Sequence, residues 1–161
     1  MTDVRGTHLG SETSGASANP APLVYSEITV DPLDAALIEH RLLAADNAAE
    51  HGALVTFRGI VRNHDHGVAV TGLEYQAHPD AARFLRECCH SIANETGLSI
   101  AAVHRIGQLT VGDTALVAVV AAAHRGEAFA ACDKLVDLIK STLPIWKRQY
   151  LVGGITEWVG L

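Results

Sequence analysis

The sequence predicts an α+β fold, a single domain with a mostly antiparallel sheet and flanking helices. Segments with helical spacing of apolar residues interleave with β-rich segments. Several neighbouring strands are joined by short turns, and short turns require antiparallel pairing. The 161 residues are enough for one domain with a substantial buried core.

The first half of the domain contains three predicted strands and two helices. Residues 23–30 alternate as a strand, and a helix follows to about Ala45, with Asp31 as its N-cap and Pro32 at its first position. Residues 53–62 and 70–77 form β-rich segments that can pair across the polar loop between them. A second helix begins near Pro79, and its apolar face is predicted from helical spacing: Phe84, Leu85, Cys88, Cys89 and Ile92.

The second half contains the most apolar strand of the chain. Residues 98–106 and 114–123 are predicted as strands joined by a turn at residues 111–113, and the second of them reads as a central strand. A helix follows residue 126, and residues 150–159 complete a terminal hairpin. The helix is expected to turn four side chains inward: Phe129, Cys132, Val136 and Ile139.

The chain is divided into a tail and one folded domain. Residues 1–22 are rich in Ser, Gly, Ala, Thr and Pro and show no periodicity, which predicts a disordered tail. Residues 23–161 form the predicted domain. The start of the chain lacks the apolar core of a secretion signal.

Composition narrows the class of partner and the compartment. A net charge of −6 argues against nucleic acid, because that binding depends on neutralising phosphates. No apolar run approaches the roughly 20 residues of a membrane helix. The three cysteines, Cys88, Cys89 and Cys132, form no CxxC pair and indicate reduced core thiols in a cytoplasmic protein.

All three lysines of the chain lie within one short stretch, at Lys134, Lys140 and Lys147. Pro144 separates the last two, and a proline disfavours helix at the residue before it. Lys140 is therefore expected in the last turn of a helix, and Lys147 at the start of the next element. Two cations on either side of a chain reversal can face one pocket for an anionic ligand.

Other basic residues recur at the ends of predicted elements. Arg62 ends a strand, His124 and Arg125 precede a helix, and Arg148 follows Lys147. Free backbone NH groups make such ends common ligand sites. Taken singly, each is more often a solvated charge or a structural histidine. Together they predict one cleft that binds an anion.

A metal centre is a weaker interpretation. His64, His66 and His78 suggest a histidine-metal hydrolase, but they lack a carboxylate or cysteine at a familiar ligand spacing. Cys132 is expected in the core rather than as a nucleophile. The sequence therefore predicts no metal site.

Taken in order, five segments resemble the catalytic (large) subunit family of molybdopterin synthase. They agree in order and spacing across nearly all of the predicted domain. The segments are Phe57 to Asn63; His104 to Gly107 with Gly112 and Asp113; Ala123 to Arg125 with Ala128 and Phe129; Leu138 to Lys140 with Pro144 to Arg148; and Trp158 with Val159.

The resemblance implies a fold of the α/β-hammerhead type and a homodimer. It also implies a small ubiquitin-like sulfur-carrier subunit that ends in Gly-Gly with a thiocarboxylate, which gives a heterotetramer. The implied reaction installs two sulfurs in cyclic pyranopterin monophosphate and yields the molybdopterin dithiolene of molybdenum cofactor biosynthesis. No metal or organic cofactor is implied, because the partner supplies the sulfur.

The resemblance also implies a set of substrate-pocket residues: Arg62, His124, Arg125, Lys140, Lys147 and Arg148. Lys140 is the residue most closely tied to catalysis. Our hypothesis makes Lys140 a proton carrier or transient nucleophile. Lys147 would hold the thiocarboxylate or stabilise the oxyanion formed at its carbonyl.

One residue departs from the family pattern, and one alternative function fits the same basic residues. Gln149 stands where many members of the family carry Glu, so one charge or hydrogen bond of the pocket differs in this chain. The alternative function is a non-catalytic module that binds an anionic metabolite or an acidic peptide tail.

Overall fold

A computed structural model describes residues 21–154 and 156–160, which form nine strands and three α-helices. The elements in chain order are β1 (Val24–Thr29), α1 (Ala35–Ala45), β2 (Ala53–Ile60), β3 (His64–Asp65), β4 (Val68–Ala77), α2 (Ala81–Thr96), β5 (Ser99–Arg105), β6 (Gly107–Thr110), β7 (Thr114–Ala122), α3 (Arg125–Thr142), β8 (Ile145–Leu151) and β9 (Thr156–Gly160).

The first sheet has the strand order β1-β5-β7-β2 and carries a helix layer on each face. β1 runs parallel to β5, whereas β5 and β2 both run antiparallel to β7. Every residue of β7 is buried, as predicted for a central strand covered on both faces. Its side chains alternate between the layers, so that Val117 and Val119 pack with α1 and Ala118 and Val120 pack with α2 and α3.

The second sheet has the order β3-β4-β8-β9, and β6 also pairs with β4. All of its pairings are antiparallel, which confirms the predicted α+β class with mostly antiparallel sheets. The predicted terminal hairpin is formed by β8 and β9. Because β8 begins directly after α3, the end of this helix lies where the two sheets meet.

The predicted pairing of residues 53–62 with residues 70–77 is wrong. β2 pairs with β7 in the first sheet, and β4 pairs with β8 in the second. Residues 61–63 therefore cross between the sheets, and the short hairpin that follows is formed by β3 and the start of β4 within the second sheet. β6 was not predicted, because an alternation of apolar and polar residues over only four positions does not distinguish a strand from a turn.

The predicted N-cap of α1 is wrong by three residues. Asp34 is the N-cap, and its carboxylate accepts hydrogen bonds from the backbone N–H groups of Ala36 (3.0 Å) and Leu37 (3.3 Å). Asp31 lies before the helix and donates its N–H to the Thr29 hydroxyl. Both aspartates suit a helix start, and only the hydrogen bonds of the folded chain distinguish them.

The predicted inward position of Phe129 is also wrong, since this residue is 63% exposed. The buried stripe of α3 passes through Ala128 and Cys132 instead. Adjacent residues on a helix point about 100° apart, so Phe129 lies to the side of this stripe. The small Ala128 side chain allows α3 to pack against β7.

The cysteines are buried free thiols. Burial raises the pKa of Cys89 to about 12, and burial also raises the pKa of Cys132. Raised pKa values leave little thiolate at neutral pH, which agrees with core packing rather than nucleophilic chemistry. No helix of the described residues has the length and apolarity that a membrane crossing needs. The predicted tail, apart from residues 21 and 22, lies outside the described residues.

Candidate functional site

A cleft of about 360 Å³ opens between the two sheets beside the end of α3. Its walls come from the ends of β2, β5 and α3, the start of β7, and the faces of β4 and β8 that point inward. Three cationic side chains line it: Arg62, Lys140 and Lys147. They come from three separate parts of the chain, so the fold assembles a positive cleft that no short segment contains.

Lys140 occupies the last turn of α3, as predicted. The helix ends at Thr142, and the N–H of Leu143 closes it by donating to the carbonyl of Ile139 at 2.9 Å. Ile139 is fully buried and anchors this turn, whereas Lys140 is exposed toward the cleft. The carbonyl end of a helix favours a cation, which suits a lysine here.

Among the described residues, Lys140 differs from the other lysines in having no carboxylate partner. Lys134 pairs with Glu95, and the Lys147 ammonium lies 3.9 Å from the Asp65 carboxylate. An ammonium group without a carboxylate partner in the chain is available to an anionic ligand or to a proton transfer.

Strand alternation separates Lys147 from Arg148. Lys147 and Gln149 line the cleft from β8. Arg148 points to the opposite face, where its guanidinium lies 3.7 Å from Glu74 and stacks 4.4 Å from the centre of the Trp158 ring. Within one chain, Arg148 is therefore not a lining residue of this cleft, although the sequence analysis placed it in the pocket.

His124 and Arg125 lie at the other end of α3, both exposed. Arg125 is the first residue of α3 and Lys140 lies in its last turn, which corresponds to a separation of roughly 22 Å at 1.5 Å per residue. A single chain thus brings together Arg62, Lys140 and Lys147, but leaves His124 and Arg125 outside the cleft.

Asp65 and Gln149 form a hydrogen-bonded pair in the cleft that the sequence analysis did not identify. The Gln149 side-chain N–H donates to Asp65 at 2.5 Å, although these residues are 84 positions apart. The Arg62 guanidinium lies 3.6 Å from the same carboxylate. The hydrogen bond from Gln149 lowers the pKa of Asp65 most; burial opposes this change, and the charges of Lys147, His66 and Arg62 lower the pKa further.

His104 lines the cleft, although the sequence did not predict it as a pocket residue. It is 2% exposed, and its Nδ1–H donates to the Arg105 carbonyl at 2.8 Å. Its ring meets the Tyr75 ring edge-on, with centroids 5.3 Å apart. The alternation of side chains along a strand could have identified its buried position, because His104 lies on the same face of β5 as the buried Ile100 and Ala102.

Burial of His104 should make stability depend on pH. Burial lowers its pKa to about 4, against 6.5 for an unburied imidazole. The unfolded chain therefore takes up a proton that the folded chain refuses, and stability is lost as the pH falls from about 6.5 toward 4. We expect a loss of about 2 kcal/mol between pH 7 and pH 5 from this residue.

Urea unfolding of the native chain and the His104→Gln variant at both pH values measures this contribution. The native chain should lose more stability than the variant over the same interval. Equal losses in the two proteins would contradict a neutral, buried His104, whatever the stability of the variant at pH 7.

Two of the histidines considered for a metal site lie in the polar loop after β2. The His66 side chain is 97% exposed, and His64 hydrogen-bonds to its neighbour Asn63. Among residues 21–154 and 156–160, no three His, Cys, Asp or Glu side chains are grouped as a metal site requires.

Comparisons with known proteins agree with this architecture. The family model described as MoaE protein matches residues 28–142. Molybdopterin synthase catalytic subunit 1 from Mycobacterium tuberculosis is 38% identical over 138 residues, which cover 84% of this chain and 90% of that protein.

Solved structures share the fold. The crystal structure of molybdopterin synthase from Staphylococcus aureus gives a TM-score of 0.74 at 33% identity, covering 84% of this chain and 96% of that one. A protein–protein complex of subunits 1 and 2 of molybdopterin-converting factor from Helicobacter pylori gives a TM-score of 0.63 at 18% identity, covering 85% of this chain and 88% of that one, and shares the fold. The family match, the identity over most of the chain and the shared fold show that this chain belongs to the MoaE family of molybdopterin synthase catalytic subunits.

Proposed function

We propose that this chain is the catalytic subunit of a molybdopterin synthase. It transfers sulfur from the C-terminal thiocarboxylate of a small ubiquitin-like partner to cyclic pyranopterin monophosphate and so forms the dithiolene of molybdopterin. One observation supports the site assignment above others: Arg62, Lys140 and Lys147 come from separate elements and line one cleft. Both the substrate phosphate and the partner's carboxyl end are anions that such a cleft attracts.

The three cations have different proposed roles. Arg62 lines the cleft with a planar guanidinium on a long side chain, and this group binds the substrate phosphate. Lys147 stabilises the oxyanion that forms on the carbonyl oxygen when water or the Lys140 amine adds to the acyl carbon; the carbon–sulfur bond then breaks and the sulfur stays on the pterin. Lys140, which has no carboxylate partner among the described residues, moves a proton or acts as a transient nucleophile.

The partner supplies the sulfur in this proposal, so the reaction requires no metal or organic cofactor. A small sulfur-carrier subunit is the natural donor, and the Helicobacter pylori relative of the fold is described as a complex of two subunits. The extended Gly-Gly end of such a sulfur-carrier subunit is narrow enough to enter a cleft of about 360 Å³. The cytoplasmic location stays a prediction.

The distance along α3 supports a homodimer, and with the partner a heterotetramer. His124 and Arg125 belong to the proposed substrate pocket but lie roughly 22 Å from Lys140 in the same chain. A second copy can bring them to the cleft. Phe129, 63% exposed and one helical turn from Arg125, is an apolar side chain that such a contact would cover.

Mixing two inactive variants tests whether the second copy completes the site. We expect Lys140→Ala and Arg125→Ala homodimers to be impaired separately. Randomly mixed subunits should regain about a quarter of native activity, because half of the dimers are hybrids with one intact site. A mixture no more active than its parents would show that both residues act within one chain.

Reconstitution tests the function itself. The purified chain is incubated with cyclic pyranopterin monophosphate and the thiocarboxylated partner, and the dithiolene product is measured. Product that requires the thiocarboxylate, and is not formed with the plain carboxylate, supports the proposal. Binding of both components without product would overturn it in favour of the non-catalytic binding module.

A further inference from the structure

Asp65 is an unusual residue for a site that is meant to bind anions. Of the described residues that line the cleft, only Asp65 carries a carboxylate. It lies in the two-residue strand β3, at the edge of the second sheet and directly after the residues that cross between the sheets. Its side chain is 20% exposed and that of Lys147 is 23% exposed, so this pair is partly withdrawn from solvent, whereas the Arg62 side chain is 68% exposed.

The contacts of Asp65 connect three parts of the cleft. Gln149 on β8 donates a hydrogen bond to Oδ2 at 2.5 Å. The Lys147 ammonium lies 3.9 Å from the same oxygen, and the Arg62 guanidinium lies 3.6 Å from Oδ1. His66, whose side chain is 97% exposed, lies 3.9 Å from Oδ1.

These contacts differ in strength. Gln149 is 2% exposed, so its amide is held in place by packing and makes the short contact. The two cations lie at ion-pair distances of 3.6 to 3.9 Å, longer than a direct charge-assisted hydrogen bond of about 2.8 Å. Gln149 thus fixes the carboxylate, and the carboxylate orients Arg62 and Lys147 while leaving them able to reach a ligand.

The amide of Gln149 lets Asp65 be the single carboxylate of this pair. A glutamate beside Asp65 would set two carboxylates against each other at hydrogen-bond distance. With Gln149 on the strand, the single carboxylate of the cleft is carried by β3 instead.

We propose that Asp65, fixed by Gln149, is a positioning residue that orients Lys147 and Arg62 for sulfur transfer and partly neutralises them. This inference rests on the proposed function for its catalytic part only. Its electrostatic part concerns anion binding to the cleft and is tested without turnover.

The test uses isosteric exchanges of carboxylate and amide. The variants are Asp65→Asn, Gln149→Glu and the double variant that carries both. The matched control is Asp80→Asn, since Asp80 lies 3.6 Å from Arg83 at the same spacing of three residues but at the N-cap of α2, away from the cleft. Each protein is assayed for kcat and KM and titrated with inorganic phosphate.

Asp65→Asn should change the two readouts in opposite directions. Loss of orientation should lower kcat by about 10-fold or more. Loss of the negative charge should tighten phosphate binding by roughly five-fold, the effect of one unit charge about 4 Å away in water. Asp80→Asn should change neither. Misfolding would weaken both activity and binding, so a fall in kcat with tighter phosphate binding identifies a positioning role.

The double variant should recover activity and phosphate affinity to within about three-fold of the native chain, because it again holds one carboxylate and one amide. Gln149→Glu alone should be impaired and should respond to pH, since two adjacent carboxylates share a proton. Native kcat and phosphate affinity in Asp65→Asn would overturn the proposal, as would a folded double variant no better than Asp65→Asn. If the native chain forms no product, the proposed function fails, and the phosphate titrations still decide the electrostatic role.

Discussion

Lys140→Ala should abolish most product formation while leaving the fold nearly unchanged. The side chain is exposed to the cleft and makes no ion pair among the described residues, so its removal costs little packing. A positioned proton carrier contributes about 10²- to 10⁴-fold to a rate. We expect a fall in kcat of that order, with a smaller change in KM.

Two further variants separate chemistry from charge. Lys140→Arg keeps the positive charge but holds its proton too tightly for transfer. This variant should therefore bind phosphate but form product slowly. Lys134→Ala is the matched control, because Lys134 lies on the same helix but pairs with Glu95 away from the cleft. Product formation by Lys140→Ala at the native rate would remove Lys140 from the mechanism.

Leu135→Ala should destabilise the fold by about 2–5 kcal/mol, the range for removing a fully buried leucine side chain. Leu135 is 0% exposed and lies in the core formed where α2 and α3 cover the first sheet. The cavity that the shorter alanine side chain leaves would lie less than two turns before Lys140 on α3. We therefore expect the midpoint of urea unfolding to fall and activity to be lost at lower urea.

Leu37→Ala is the control for this substitution. It makes the same chemical change on α1, at a position that is 48% exposed. Its effect on the free energy of unfolding should stay within about 0.5 kcal/mol. Similar losses in Leu37→Ala and Leu135→Ala would contradict the burial of α3 as the source of stability.

The parts of the fold predicted correctly are those set by local patterns. The continuous apolar run of β7 indicated a strand covered on both faces, and every residue of β7 is buried. The proline after Lys140 predicted the end of α3 and the start of β8, and both lie there. Such signals act within a few residues, so they are present in the sequence itself.

The errors concern relations between distant segments. Two adjacent strands joined by a polar loop read as a hairpin, but their backbone hydrogen bonds go to β7 and β8. Phe129 matched the helical spacing as well as Ala128 did, and the close approach of α3 to β7 decided between them. Sheet pairing and packing depend on the whole core, which local spacing does not contain.

The amino-acid sequence alone determined the fold class, the family resemblance and the two lysines that flank the chain reversal, because each rests on residue types at short spacing. Only the tertiary structure decided which cations share a cleft. Arg148 is removed from it by strand alternation, and Arg125 is removed by the length of α3. Asp65 is brought to Gln149 across 84 positions, because β3 and β8 both pair with β4 in the second sheet and these pairings form only in the folded chain.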